Sequence, residues 1–198
     1  ESQCMLARHW YGVVVKRVYN GVDFETYKPD DTGPKRNGRY LWLGRYSPEK
    51  GPLDAIQIAK ELRLNLTLVG DTQFPPDKQY IQRCFDAADG LQVRALPGVS
   101  RDETIRYYRT HKALVYPLGW KEPFGLVPVE AIACGMPVVA YDRGAMREII
   151  DEGVNGFLCR DEKDMKDVLL SGKLDALDPA QVRASVVNRF SEKAMCDG

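Results

Sequence analysis

Short apolar runs that alternate with helical patterns are the feature of this sequence that most constrains its fold. The predicted strands are 40–44, 66–70, 91–96, 113–117, 137–141 and 156–159, and the first two stop at a glycine. The sequence pattern also predicts helices at 53–62, 77–88, 125–134, 145–151, 161–170 and 179–189. A capping box at Ser100 and Glu103 predicts one more helix, directly after Ser100. This alternation predicts an α/β fold with a doubly wound parallel sheet. Such sheets bind ligands beyond the carboxyl ends of their strands.

The composition excludes several classes of function. The 198 residues include 28 Lys or Arg and 28 Asp or Glu, whereas a nucleic-acid-binding domain usually has a basic excess. We therefore expect no nucleic-acid partner. The five cysteines are odd in number, none has CxxC spacing, and His9 and His111 are the two histidines. These counts predict no disulfide framework, no metal site and a reducing, cytoplasmic location.

A glycine-bordered turn with two cations follows the first predicted strand. It runs from Gly44 to Gly51 and contains Arg45 and Lys50. A guanidinium fork and a compact ammonium group together suit a diphosphate. The turn lacks both GxGxxG and the P-loop pattern, so it is neither a dinucleotide fingerprint nor a P-loop. The alternative for this turn is a solvated loop with a surface ion pair.

A proline-bearing segment after the fourth predicted strand places a helix N-terminus at the strand ends. Pro123 and Pro128 fit only before a helix or in its first turn, so the helix should begin near Gly125. The free N–H groups there form a natural phosphate seat, which a glycine lets a ligand approach closely. Glu130, inside the helix among apolar neighbours, needs a polar partner such as a ribose diol. The alternatives are a helix-capping charge for Glu122 and a surface salt bridge for Glu130.

Several of these segments resemble, in the same order, the motifs of the retaining GT-B glycosyltransferases of family 4. The segment 122–130 resembles the family's Glu-x7-Glu signature, and 44–51 resembles its diphosphate-binding loop. The turn 98–100 resembles its base-binding turn, and 20–29 resembles its interdomain segment. The stretch 144–158 resembles the glycine- and glutamate-bearing stretch that follows the signature. Agreement of several motifs in sequence and order makes chance similarity a poor explanation.

The resemblance implies transfer of a hexosyl group from a UDP- or GDP-sugar to an acceptor, with retention of the anomeric configuration. It implies catalytic roles for Arg45 and Lys50, which neutralise the leaving diphosphate in place of a metal, and for Glu122, which contacts the donor sugar. The residues that it implies bind the donor are Gly44, Gly98, Val99, Phe124, Gly125, Leu126 and Glu130. Within this set, Glu130 binds the ribose hydroxyls. The resemblance implies no metal and no cofactor besides the nucleotide-sugar substrate.

The resemblance covers roughly residues 15–192 and corresponds to one Rossmann-like half of a GT-B fold. We expect an interdomain segment at 1–31 and a nucleotide-sugar-binding domain at 32–198. The partners that it implies are a nucleotide-diphosphate sugar and an N-terminal acceptor domain that this sequence lacks. Without that domain the chain is expected to be inactive, and through it the parent enzyme could contact a membrane. Arg147 stands where the family often has proline.

Two other classes of function stay open on the residues alone. One is a non-catalytic nucleotide-sugar-binding or assembly module that kept the fold. The other is a GT-B nucleotide-sugar epimerase or phosphorylase. The sequence keeps all four charged site residues, Arg45, Lys50, Glu122 and Glu130, which argues against a module that has lost its catalytic site. The Arg-x4-Lys turn beside Glu-x7-Glu favours the transferase over the epimerase or phosphorylase.

Overall fold

A parallel six-stranded sheet forms the centre of the protein in the computed structural model, which describes residues 18–30, 32–33, 36–72 and 77–197. The strands are β1 (Tyr40–Arg45), β2 (Leu66–Asp71), β3 (Val93–Leu96), β4 (Leu114–Tyr116), β5 (Val138–Tyr141) and β6 (Gly156–Cys159). Their order across the sheet is β3-β2-β1-β4-β5-β6, and each neighbouring pair is parallel. The predicted doubly wound parallel sheet is therefore confirmed.

Helices connect the strands where the sequence predicts them. They are α1 (Pro52–Glu61), α2 (Lys78–Ala87), α3 (Arg101–Thr110), α4 (Leu126–Ala133), α5 (Met146–Ile149), α6 (Glu162–Leu170), α7 (Pro179–Phe190) and α8 (Glu192–Asp197). Two 3₁₀ turns lie at Pro48–Lys50 and Lys173–Ala176. The predicted capping box is present at the start of α3, where Ser100 and Glu103 bond each other's backbone N–H groups.

Alternate residues of the central strands enter two separate cores. In β4, Leu114 and Tyr116 belong to one buried cluster and Val115 belongs to the other. Successive side chains of a strand point to opposite faces, so these clusters lie on the two faces of the sheet. A sheet covered on both faces needs apolar residues at every position, which explains the continuous apolar runs of the sequence.

Two element ends differ from the sequence prediction because side chains bond the backbone there. β3 begins at Val93, while Leu91 is 78% exposed; the Asp89 carboxylate accepts the N–H groups of both residues at 2.9 and 2.8 Å. The helix α5 is a single turn, shorter than predicted. Asn155 donates its amide to the carbonyl of Ile149 at 3.1 Å, at the end of that turn.

The order of the strands creates a topological switch point between β1 and β4. From β1 the chain proceeds outward through β2 and β3, then returns to β4 on the other side and proceeds outward through β5 and β6. The two connections beside β1 and β4 therefore leave the sheet in opposite directions and open a crevice at the carboxyl ends of these strands. The loops that follow β1 and β4 line this crevice, and both carry predicted site residues.

The described part of the predicted interdomain segment lies against the C-terminal helices. Of residues 1–31, the structure describes 18–30. Val22 donates its N–H to the carbonyl of Phe190 at 2.8 Å and forms a parallel bridge with Ser191. The boundary between this segment and the domain stays a prediction.

Candidate functional site

The loops that follow β1 and β4 contact each other at the switch point. The N–H of Gly119, after β4, donates to the carbonyl of Glu49, after β1, at 2.9 Å. The buried indole N–H of Trp42 in β1 donates to the carbonyl of Lys50 at 3.0 Å. These bonds hold the cation-bearing turn beside the segment that leads into α4.

Lys50 and Glu122 form a buried ion pair at this junction. Lys50 Nζ lies 2.5 Å from Glu122 Oε2, and each side chain is 11% exposed. Trp120 contacts both, since its indole N–H donates to Glu122 at 3.2 Å and its ring centroid lies 4.7 Å from Lys50 Nζ. The attraction between the ions and these added contacts offset the free energy of removing two charges from water. The sequence indicates both charged residues, but neither their pairing nor the part played by Trp120.

Arg45, the other predicted cation, pairs with a different carboxylate. Its Nη2 lies 3.6 Å from Glu49 Oε1, and its side chain is 47% exposed. The hydroxyl of Ser47 donates to the same carboxylate oxygen at 2.6 Å. The surface ion pair considered as the alternative for this turn is therefore present for Arg45, whereas Lys50 is buried.

Gly125 gives the backbone an unusual turn before α4. Its φ of +105° lies in a region that favours glycine, and the helix begins at Leu126. The first N–H groups of a helix have no carbonyl within it to bind, and Pro128 fits this turn because it has no N–H. The ring of Phe124 packs edge-on against Phe190, with centroids 5.6 Å apart, and the side chain of Leu126 is 46% exposed. The helix start is a candidate seat for an anion.

Glu130, in the second turn of α4, is held by a tyrosine hydroxyl. Tyr108 donates its O–H to Glu130 Oε2 at 2.9 Å. Burial raises the pKa of Glu130 above its usual range, while its tyrosine neighbours and the charge of Arg101 oppose the rise. The predicted need for a polar partner is met within the protein. Helical periodicity assigns Tyr108 only to an apolar face, so the sequence does not predict this role.

The predicted base-binding turn reaches the same edge of the sheet as the β1 loop. Gly44 lies opposite Gly70 in the register of β1 and β2. A Cβ atom placed on Gly98 would lie 3.7 Å from the carbonyl oxygen of Gly70. Val99 is half-buried and packs against the core. The three strand ends thus bring Gly44 and Gly98 into one neighbourhood.

The loop after β5 contacts the backbone of Glu122. Ala145 donates its N–H to the carbonyl of Glu122 at 2.8 Å. Gly144, with a φ of +61°, approaches so closely that a Cβ atom there would overlap the backbone N and O of Glu122. Arg147 lies on the surface with a side chain that is 72% exposed, and it pairs with Asp142.

Neither a metal centre nor a membrane span is found in the part of the chain that the structure describes. No group of three or more His, Cys, Asp or Glu side chains there is arranged to hold a metal ion. The cysteines in that part, Cys84, Cys134, Cys159 and Cys196, are free thiols, while Cys4 and His9 lie outside it. None of the helices there is long and apolar enough to cross a membrane.

The fold and the site define a doubly wound α/β domain with cations and a helix N-terminus at its switch point. The chain belongs to the glycosyl transferases group 1 family, whose family model matches residues 23–174. A D-inositol 3-phosphate glycosyltransferase of Frankia alni is 34% identical over 161 residues, or 71% of this chain and 39% of that protein. A lipopolysaccharide 1,2-N-acetylglucosaminetransferase of Salmonella typhimurium is 31% identical, over 72% of this chain and 42% of that protein. The match therefore spans less than half the length of these relatives.

Solved structures agree with this assignment. Anabaena Alr3699/HepE in complex with UDP superposes with a TM-score of 0.79 at 25% identity, over 93% of this chain and 56% of that one. The C-terminal domain of a group 1 glycosyl transferase from Francisella tularensis superposes with a TM-score of 0.69 at 22% identity, over 87% of this chain and 100% of that one. The predicted fold, one Rossmann-like half of a GT-B fold, is confirmed.

Proposed function

We propose that this chain is the nucleotide-sugar-binding half of a retaining glycosyltransferase that moves a hexosyl group from a UDP- or GDP-sugar to an acceptor without a metal ion. The observation that carries the proposal is the charge at the switch point, where buried Lys50 and half-exposed Arg45 accompany the N-terminus of α4. Each cation pairs with a carboxylate of the site, so its part is to donate charge-assisted hydrogen bonds to a diphosphate that lies at the positive end of the helix dipole. Crystal structures of the Anabaena relative in complex with UDP and with UDP-glucose support a donor of this kind.

In the proposed reaction, the bond between the anomeric carbon and the diphosphate oxygen breaks, and that carbon forms a bond to an acceptor hydroxyl oxygen. The leaving diphosphate gains negative charge, which Arg45 and Lys50 stabilise in place of a metal ion. The proton of the acceptor hydroxyl passes to an oxygen of the leaving phosphate. Glu122 contacts the donor sugar and forms no covalent bond with it.

The other donor contacts follow from the position of each residue along the carboxyl edge of the sheet. The backbone N–H groups of 124–126 hold sugar hydroxyls or phosphate, because they lie at or just before the start of α4, where N–H groups have no partner within the helix. Glu130, one turn further into the helix, binds the ribose hydroxyls. The turn at Gly98 and Val99 binds the base edge through its backbone, and Gly44 leaves room for the diphosphate beside β1.

We place the acceptor site in a second domain of the same enzyme. This chain covers 56% of the Anabaena structure and 39% of the Frankia relative, so each has room for such a domain. Transfer then needs both domains, and this chain alone binds the donor without turnover. The scattered cysteines support a cytoplasmic location for the whole protein. Any contact with a membrane surface would come from the second domain.

Calorimetric titration of this chain with UDP, GDP and their hexosyl derivatives, in buffer containing EDTA, tests the proposal. One of the two nucleotides should bind, and Arg45→Ala should weaken its binding about tenfold because a charge-assisted contact to the diphosphate is lost. Arg160→Ala is the matched control. Arg160 forms an i,i+4 ion pair with Asp164, as Arg45 does with Glu49, but it follows β6 rather than β1.

Several results would contradict the proposal or part of it. Failure of both nucleotides to bind at millimolar concentration contradicts donor binding, and a requirement for Mg²⁺ contradicts metal independence. Donor binding without sugar transfer by the full-length protein indicates a non-catalytic module instead. Release of an isomerised nucleotide sugar indicates an epimerase, and phosphate-dependent release of a sugar phosphate indicates a phosphorylase.

A further inference from the structure

Glu130 is distinguished within the site by the neutral hydroxyl group that holds it. Tyr108 of α3 donates its O–H to Glu130 Oε2 at 2.9 Å. Tyr27, from the segment before β1, packs beside Tyr108 with ring centroids 6.2 Å apart, and the Arg101 guanidinium lies over its ring at 5.2 Å. The carboxylate of α4 is thus oriented by a hydroxyl donor from a neighbouring helix.

Burial of the tyrosine restricts the direction in which its hydroxyl group can donate a hydrogen bond. Tyr108 is 0% exposed, so its O–H group cannot turn to water if the carboxylate moves. An ionised carboxylate has about four lone-pair positions and no proton to donate. Tyr108 occupies one of these positions and leaves others for donors from a ligand. Two adjacent hydroxyl groups supply two such donors.

The neutral character of the tyrosine donor also matters. Tyr108 bonds the Glu130 carboxylate without cancelling its charge, whereas Lys50 compensates the charge of Glu122 at 2.5 Å. Hydrogen bonds that involve an ionised partner are stronger than those between neutral groups. Glu130 is therefore prepared to accept strong hydrogen bonds from hydroxyl groups that carry no charge of their own.

We propose that Tyr108 is a positioning residue for ribose recognition, whose hydroxyl fixes the Glu130 carboxylate so that its open lone pairs face the 2′- and 3′-hydroxyls of the donor nucleotide. Tyr108 lies outside the Glu-x7-Glu segment. Ribose recognition by Glu130 is part of the proposed function, on which this role of Tyr108 rests.

The test compares a nucleotide with its analogue that lacks both ribose hydroxyls. Calorimetry measures the binding of UDP and 2′,3′-dideoxy-UDP, or of the guanosine pair if GDP is the ligand, to the wild-type chain and to Tyr108→Phe. The variant should bind the normal nucleotide about tenfold more weakly, because Glu130 loses a hydrogen bond to a charged group. It should bind the dideoxy analogue with unchanged affinity, because that ligand does not use the carboxylate.

Tyr107→Phe is the control for loss of a hydroxyl group from α3. Tyr107 is the neighbouring residue, and its ring packs against His111 with centroids 5.2 Å apart. Its replacement should change the affinity for neither ligand. Thermal melting of each variant checks that the fold is intact. If Tyr108→Phe does not fold, Tyr108→Leu, which also lacks the hydroxyl group, takes its place and must show the same loss for the normal nucleotide alone.

The outcomes separate this role from the proposed function. If the wild-type chain binds neither UDP nor GDP, the proposed function fails. If the wild-type chain prefers the normal nucleotide to its dideoxy form and Tyr108→Phe keeps that preference, the positioning role fails while donor binding stands. Equal weakening of both ligands by Tyr108→Phe also overturns the positioning role, since it indicates a general structural effect.

Discussion

The two carboxylates of the site, Glu122 and Glu130, lie on one loop and helix but have opposite surroundings. Glu122 pairs with Lys50 at 2.5 Å and accepts a hydrogen bond from Trp120 at 3.2 Å. Glu130 accepts a hydrogen bond from the Tyr108 hydroxyl, and burial raises its pKa. The first carboxylate is compensated by an opposite charge at contact distance. The second is bonded by a neutral hydroxyl group, and burial disfavours its charge.

This difference teaches how one helix start can bind two chemically different parts of a ligand. A cation that is paired with a carboxylate is already oriented before an anionic ligand arrives. A carboxylate that is held by a hydroxyl group keeps lone pairs for further neutral donors. The Lys50 side therefore suits the charged diphosphate and its sugar, and the Glu130 side suits the neutral diol of the ribose.

The largest expected effect on stability comes from Lys50→Met, which breaks the ion pair between Lys50 and Glu122. This variant leaves Glu122 buried without its counter-charge, which should lower the free energy of unfolding by about 3 kcal/mol. Urea denaturation at neutral pH measures the loss. The double variant Lys50→Met/Glu122→Gln should recover most of it, because no uncompensated charge is left.

Lys163→Met is the matched control for that measurement. Lys163 pairs with Asp167 at 2.6 Å, but their side chains are 82% and 62% exposed. A pair this exposed contributes little to stability, so its loss should cause no measurable change. If Lys50→Met lowers the free energy of unfolding no more than Lys163→Met does, Lys50 does not stabilise the protein by compensating the charge of Glu122.

The sheet could be predicted closely from the sequence, because strands buried on both faces are continuous apolar runs. The start of β3 shows where this reasoning fails. Leu91 is apolar, so its hydropathy predicts a place in the strand. Instead, the N–H groups of Leu91 and Val93 donate to the Asp89 carboxylate, and the Leu91 side chain is exposed. Hydropathy carries no information about such bonds between a side chain and the backbone.

The site residues could be predicted individually, but their partners could not. Lys50, Glu122 and Glu130 follow strand ends that meet at one edge of the sheet, so topology alone brings them to the crevice. The contact of Tyr108 with Glu130 joins two helices, and apolar periodicity does not reveal where a tyrosine hydroxyl points. The binding role of each residue stays a prediction until ligand affinities are measured.

A smaller effect should follow from displacing the backbone of Glu122 while leaving all charges in place. Gly144→Ala adds a Cβ atom that would overlap the backbone of Glu122, at a φ of +61° that alanine rarely adopts. We expect a loss of about 2 kcal/mol in the free energy of unfolding, together with weaker donor binding, since the loop must shift.

Gly153→Ala separates the backbone strain at Gly144 from the overlap with Glu122. Gly153 has a similar φ of +74° but nothing within 4 Å of the added Cβ atom. It should lose only about 1 kcal/mol and keep full donor affinity. Urea denaturation and calorimetry measure both properties. Equal effects of the two substitutions on donor affinity would show that the contact with Gly144 does not hold Glu122 in place.

The smallest expected effect on stability, and one of opposite sign, comes from Glu130→Gln. Because burial raises the pKa of Glu130 above its usual value of 4.5, the folded protein ionises this group less readily than the unfolded chain does. Its carboxylate therefore lowers stability progressively as the pH rises from the unfolded pKa through the higher folded one, a penalty absent at lower pH. Glu130→Gln lacks this penalty, so near pH 7 it should equal or slightly exceed the wild type in unfolding free energy while losing nucleotide affinity.

Glu122→Gln provides the comparison. It leaves Lys50 buried without its counter-charge, so this variant should be destabilised. Urea denaturation at about pH 4 and pH 7 measures both variants, and destabilisation by Glu130→Gln that persists at the lower pH would mean that the two carboxylates do not differ as the structure indicates.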